Sequence, residues 1–207
     1  NLIKLIGFEK YAPHLPPEDS ISSLLASTGW KNIDISNLPE FKKQNKVQIN
    51  FGGIAKGYAV DRAAEVVHSF GFDTYMVNAG GEIQAKGKKW SIGITHPREQ
   101  GELLDVAYLK DISIATSGDY EKYFKNKDKR FSHIIDPVTG LPSDKCQSVS
   151  IFINDCVFAD GLATGFFVLG AEESIKIVNS LKNVECLIID NKGKRFVSNG
   201  LGKYITE

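Results

Sequence analysis

From residue 73 to residue 153 the chain is a succession of short runs rich in β-branched and aromatic residues, most of them closed by glycine, proline or a small polar residue. Runs of that length and composition pair as strands. DTYMVNA and EIQAK flank Gly80-Gly81, a dipeptide that reaches the positive φ of a tight hairpin turn at no steric cost. WSIGIT, LLDVAYL and ISIATS follow, then RFSHII and, past the turn DPVTGLPSD, SVSIFIN; VECLIID-NKG-KRFVS reads as a closing hairpin. Helical spacing is set apart from these runs. After Gly52-Gly53 a helix is predicted with Ala59, Ala63, Val66, Val67 and Phe70 as its apolar positions and Gly71 as its left-handed end. A helical pair is predicted over roughly 157–181. Shorter elements are a helix capped by Asp19 or Ser20, running through Leu24 and Leu25 to Gly29, a strand VQINF at 47–51 and a short helix near DYEKYF; residues 1–17 read as irregular. Strand runs with two helical regions, rather than regular βαβ repeats, predict an α+β fold with a mainly antiparallel sheet and flanking helices. With no internal repeat, linker or low-complexity segment, the reading is one domain over 1–207.

The 207 residues are 42% hydrophobic and 24% charged, ordinary for a chain with a full core. Lys plus Arg and Asp plus Glu are 25 each, so no net charge draws the chain to nucleic acid or an anionic membrane, and KNKDKR reads as a solvated loop. A nucleic-acid partner is not expected. Cys146, Cys156 and Cys186 are too few and too scattered for a disulfide framework or a zinc site. No run reaches the roughly 18 apolar residues that cross a bilayer. The chain starts at Asn1 with no Met, signal peptide or lipidation motif, a start that processing, trimming or fragmentation each explains.

Three segments carry candidate chemistry. GGIAKGYAVD (52–61) lies at a strand-to-helix junction, where two glycines admit a ligand to the backbone and a helix N-terminus offers N–H groups, with Lys56 adding a cation. It is neither a P-loop nor a GxGxxG motif. A tight turn with packing glycines explains the same residues. DGLAT (160–164) sets Asp160 and Thr164 four apart on one helix face, hard oxygen donors suited to Mg²⁺. Taken alone, the segment is better explained by helix-start preference for Asp and back-bonding by Thr. SHIIDP (132–137) places His133 and Asp136 at a strand end, His133 as a general base, a phosphate ligand or a hydrogen-bonded edge histidine. ATSGDYE (115–121) adds Asp119 and Glu121 in a predicted helix first turn, where acids are usually structural.

Taken in order, GGIAKGYAVDRAAEVV, VNAGGEIQAKG, IATSGDYEKYF, FSHIIDPVTGLP and ADGLATGFFVLG, with NLIKLIGF ahead of them, resemble the FAD:protein FMN transferase (flavin transferase) family. The resemblance implies a T-fold-like architecture. It implies a cation, normally Mg²⁺, held beside the FAD diphosphate by the Ala55 carbonyl, Asp160 and Thr164. It implies cofactor contacts at Lys56, Asp61, Gly80, Gly81, Ser117, Glu121, His133 and Ile135, with His133 catalytic. The family's NLGGD turn is NAGGE here, with Glu82 in place of Asp. Family members carry further chain ahead of NLIKLIGF, so this chain is expected to be N-terminally incomplete, with part of the flavin-ring side lying in that stretch.

The implied activity is transfer of FMN from FAD to a threonine hydroxyl of an acceptor flavoprotein, releasing AMP. Phosphoryl transfer asks mainly for positioning and charge neutralisation, which the three segments can supply. A Mg²⁺-dependent FAD pyrophosphatase would use the same residues with water as the acceptor, and a non-catalytic flavin-binding module is a third reading. By resemblance alone, acceptors are redox membrane subunits or extracytoplasmic flavoproteins, and the location is periplasmic or extracytoplasmic, with the full-length protein membrane-anchored.

Overall fold

The computed structural model describes residues 2–10, 12–44, 47–127 and 129–205. They fall into two compact units, one of residues 1–50 and 121–143 and a larger one of 51–120 and 144–207. The elements begin with α1 (Leu2–Ile6), α2 (Glu18–Leu25), β1 (Ile33–Asp34), β2 (Lys42–Lys43) and α3 (Ala55–Ser69). Strands β3 (Tyr75–Ala79), β4 (Glu82–Lys86), β5 (Trp90–Thr95), β6 (Leu103–Leu109), β7 (Ile112–Gly118), β8 (Tyr123–Asn126), β9 (Lys129–Ser132) and β10 (Cys146–Ile153) follow. The chain closes with α4 (Cys156–Leu169), α5 (Ala171–Ser180), β11 (Glu185–Asp190) and β12 (Arg195–Val197). This is the α+β arrangement expected. No helix among the described residues is long and apolar enough to cross a membrane.

The larger unit is built on a sheet of six strands in the order β12-β11-β10-β7-β4-β3, antiparallel throughout. Gly80 and Gly81, at φ 71° and 107°, form the two-residue turn between β3 and β4. Side chains alternate across the sheet. On one face Ile83, Ile112, Ile114, Phe152, Leu187 and Ile189 join Ile94 and Leu109 of the β5–β6 hairpin in the core. The register Ser117↔Val149↔Ile188 and Ala115↔Ile151↔Cys186 puts the alternate residues on the other face, which the helices cover: α3 over β3 and β4, α4 over β7 and β10, α5 over β11.

The helix after Gly52-Gly53 and the helical pair form where expected, and Gly71 ends α3 at φ 86° with its N–H on the His68 carbonyl. The buried face of α3 is not the expected one. Gly57, Val60, Asp61 and Ala64 are buried, whereas Ala59, Ala63, Val66 and Phe70 are exposed. The reason is proximity: α4 passes so close that only the row of α3 containing Gly57 fits against it. A Cβ on Gly57 would lie 2.3 Å from the Cys156 carbonyl oxygen.

In the smaller unit, DYEKYF is not a helix. Residues 119–122 turn and Tyr123–Asn126 form β8, paired with β9. The cross-strand partners Phe124 and Phe131 stack with ring centroids 5.2 Å apart, and Phe8 adds a tilted contact to Phe124 at 5.8 Å. Aromatic pairing across a hairpin outweighs the local helical spacing. Residues 47–51 form no strand. The Val47 N–H turns back to the Gln44 carbonyl, and the Phe51 carbonyl accepts from Ile54 and Ala55 as the chain enters α3. Residues 1–17 are not wholly irregular, since Leu2–Ile6 is helical and buries Leu2 and Ile6. Helix α2 starts at Glu18 with Pro17 at its cap position, so Asp19 and Ser20 lie inside its first turn, where acidic Asp19 meets the positive end of the helix.

Replacing Gly57 with Ala sets a methyl group against α4 backbone, which cannot rotate away. The expected loss is about 1–3 kcal/mol, read from the denaturant midpoint. A Gly57→Ala protein that unfolds with the wild type would show that the two helices can separate without penalty.

Candidate functional site

Helix α4 reads CVFADGLATGFFVL. It is apolar on nearly every side, as befits a helix buried in a layered core. Asp160 and Thr164, one turn apart, are its only residues able to offer side-chain oxygens. Asp160 is 4% exposed, and a carboxylate so buried needs partners. One is the backbone N–H of Gly57 in the first turn of α3, 3.0 Å from Oδ2. Thr164 Oγ1 lies 3.2 Å from Ser117 Oγ on β7, and Gly53 comes so close that a Cβ there would sit 3.1 Å from the same Oγ1. The GGIAKG segment and DGLAT thus lie against each other. Ala55 is the first residue of α3 and is exposed.

Asp61 faces the other way along the same contact. Its Oδ1 accepts from the N–H of Cys156 and its Oδ2 from that of Val157, both at 2.9 Å. These are the first N–H groups of α4, which have no partner within the helix. Each helix therefore has its N-terminal donors bound by an aspartate of the other. This structural role for Asp61 stands beside the cofactor contact that the resemblance implies.

Lys56 Nζ pairs with Glu82 Oε1 at 2.7 Å, the lysine side chain 40% exposed and the glutamate 2%. Glu82 is the first residue of β4, directly after the Gly80-Gly81 turn. Its Oε2 is the one buried side-chain polar atom without a hydrogen-bond partner among the described residues. Burial pushes the Glu82 carboxyl above its ordinary value; the Lys56 ammonium pulls it down, and the Asp160 charge pushes it up again. Cys156 feels Asp61, Glu82 and Asp160 together, and burial with these charges drives its thiol upward. Cys146 and Cys186 are pushed up to about 12, mainly by burial, so all three thiols are inert packing groups.

His133, Ile135 and Glu121 belong to the smaller unit. His133 Nδ1 lies 3.1 Å from the Lys122 carbonyl. A carbonyl only accepts, so Nδ1 carries the proton of the neutral ring and Nε2 is the basic nitrogen. The edge of the His133 ring meets Phe8 with centroids 6.3 Å apart. Ile135 bridges to Pro142, across a turn in which Asp136 Oδ1 accepts from the Val138 N–H. Glu121 is exposed in the turn before β8, not in a helix.

No group of three His, Cys, Asp or Glu residues among those described is arranged to hold a metal. The side-chain donors that α4 presents are instead one carboxylate and one hydroxyl. That set fits a hard cation that completes its shell with water and phosphate oxygens, as Mg²⁺ does, and the unpartnered Glu82 oxygen is consistent with it. Sequence reasoning gave Gly52-Gly53 a packing role only as the alternative, missed Gly57 as the residue that lets α3 approach α4, and gave Glu82 no role. Its only local signal is a position next to two glycines.

Asp61→Ala leaves two α4 N–H groups without acceptors. It is expected to lower the stability of the ligand-free protein by roughly 1–3 kcal/mol, measured by chemical denaturation. Unchanged stability would mean that Asp61 serves a ligand alone.

Curated proteins and solved structures are similar to this chain over nearly its whole length. The chain is similar to the FAD:protein FMN transferase of Vibrio cholerae, 33% identical over 217 residues that cover 100% of this chain and 65% of the relative. It is similar to that of Haemophilus influenzae, 34% identical over 222 residues that cover 100% of this chain and 64% of the relative. The chain thus spans less than two thirds of either relative's length. The crystal structure of the ApbE protein from Thermotoga maritima matches with a TM-score of 0.90 at 35% identity, covering 100% of this chain and 70% of that one. The family model of the ApbE family matches residues 1–188, and with both units of the fold included in that match, the chain belongs to the ApbE family.

Proposed function

We propose that this chain transfers FMN from FAD to a threonine hydroxyl of an acceptor flavoprotein in a Mg²⁺-dependent reaction, releasing AMP. The observation that carries the reading is the pair Asp160 and Thr164, alone in offering side-chain oxygens on an apolar helix and turned to the glycine-lined start of α3. The names of the relatives support the same activity. In this reading Asp160, Thr164 and the Ala55 carbonyl hold the cation. What Mg²⁺ supplies when bound is charge neutralisation on the diphosphate and stabilisation of the departing AMP.

The protein's own groups do the rest. Lys56, half in solvent, and the α3 N-terminus face the diphosphate with positive charge. In the smaller unit His133 acts as the base, its Nε2 taking the proton of the acceptor hydroxyl, a step typically worth about 10²–10⁴-fold. The threonine oxygen bonds to the phosphorus of the FMN half, and the bond from that phosphorus to the oxygen bridging to AMP breaks. On the same reading the acceptor is a redox membrane subunit or an extracytoplasmic flavoprotein, and the reaction runs outside the cytoplasmic membrane.

Asp160→Ala is expected to abolish Mg²⁺-dependent FMN transfer to a threonine-containing acceptor peptide, followed by mass spectrometry, with the circular dichroism of the fold retained. Full transfer in that variant would refute the cation assignment. His133→Ala is expected to lose at least about 10²-fold in rate together with the acidic limb of the pH–rate profile; an unchanged profile would remove His133 as the base. Release of free FMN in place of a modified peptide would identify a pyrophosphatase.

A further inference from the structure

Glu82 is the side chain for which the fold has no internal explanation. It is fully buried, one oxygen holds Lys56 at 2.7 Å, and the other has no hydrogen-bond partner among the described residues. Leaving a buried carboxylate oxygen unpaired is costly, and native structures seldom do so unless an ion, a water or a ligand completes the site. The surroundings say which kind of group is missing. Lys56, which holds Glu82, is followed by Gly57, whose N–H holds Asp160, so two buried carboxylates are gripped by consecutive residues at the start of α3. Asp61 is held in turn by the Cys156 and Val157 N–H groups. A carboxylate oxygen only accepts, so the group that completes Glu82 is a hydrogen-bond donor or a cation, not an anion.

We propose that Glu82 is a positioning residue of the cation site: one oxygen fixes Lys56, and the other accepts a hydrogen bond from a water on the divalent cation held at Asp160 and Thr164. The inference rests on the cation reading given under Proposed function. Mg²⁺ keeps several of its waters, and carboxylates that orient a metal's shell from outside typically change affinity by about 10–100-fold when lost. The Gly80-Gly81 turn suits the role. It presents no side chain above Glu82, and a Cβ on Gly80 would lie 3.8 Å from Lys56 Cδ and 4.0 Å from Glu82 Oε2.

The test is calorimetric titration of Mg²⁺ into the full chain saturated with ADP, a diphosphate that cannot react. Glu82→Gln is nearly isosteric and removes the charge. It should bind Mg²⁺ about 10–100-fold more weakly than the wild type, with a thermal midpoint in the absence of metal that is equal or higher. Glu82→Asp, which restores the charge, should recover most of the affinity. Mg²⁺ binding by Glu82→Gln within twofold of the wild type would overturn the proposal while leaving the cation reading intact. If instead the wild type binds no Mg²⁺, or Asp160→Ala binds it as well as the wild type does, the cation reading itself fails and the proposal with it. Should Glu82→Gln not fold, ¹³C-carboxyl resonances of glutamate in the wild type decide the matter. The Glu82 signal should shift on adding Mg²⁺, and a signal that stays in place would overturn the proposal.

Discussion

The structure of the larger unit depends on a reciprocal bond between two helix N-termini. Asp61 of α3 binds the first N–H groups of α4, and Asp160 of α4 binds the Gly57 N–H in the first turn of α3. Helix starts carry unpaired donors and a partial positive charge, so each aspartate satisfies a need that its partner helix cannot meet from within. The exchange is possible only because Gly57 has no side chain where the backbones meet. Once formed, it fixes the depth and rotation of α3, which explains why the helix buries Gly57, Val60, Asp61 and Ala64 and leaves Val66 and Phe70 in solvent.

That clasp also creates the chemistry of the candidate site. It draws carboxylates into an apolar layer, where each is worth little unless it is paired, and it leaves Thr164 and Lys56 at the rim of the same contact. On the proposed function a hard oxygen-donor site with a single committed carboxylate is incomplete on its own and is completed by phosphate oxygens. The same reading makes cation and dinucleotide binding mutually dependent, which suits an enzyme whose substrate is a diphosphate.

The local features of the fold were legible in the residues themselves. Gly80-Gly81 marks its hairpin, Gly71 ends α3, and the helical pair forms where its residues predict it. What escaped was decided at long range. The face of α3 was assigned by hydrophobicity, but it is chosen by a backbone contact with residues about a hundred positions away. DYEKYF has acidic and aromatic spacing compatible with a helix, yet it forms β8 because Phe124 stacks on Phe131. The strand expected at 47–51 fails because its last carbonyl is used to start α3. The site was partly legible for the same reason. Asp160 and Thr164 are readable at a four-residue spacing, whereas the burial of Glu82 and the capping role of Asp61 exist only once sheet and helices have met.

The most direct measurement is anomalous scattering from Mn²⁺ in crystals of the chain grown with ADP. A divalent cation held by α4 and by the nucleotide places the anomalous peak within coordination distance of Asp160 and Thr164, with diphosphate oxygens completing its shell. Bound ADP with no peak at those two side chains, or a peak at some other cluster, would contradict the account.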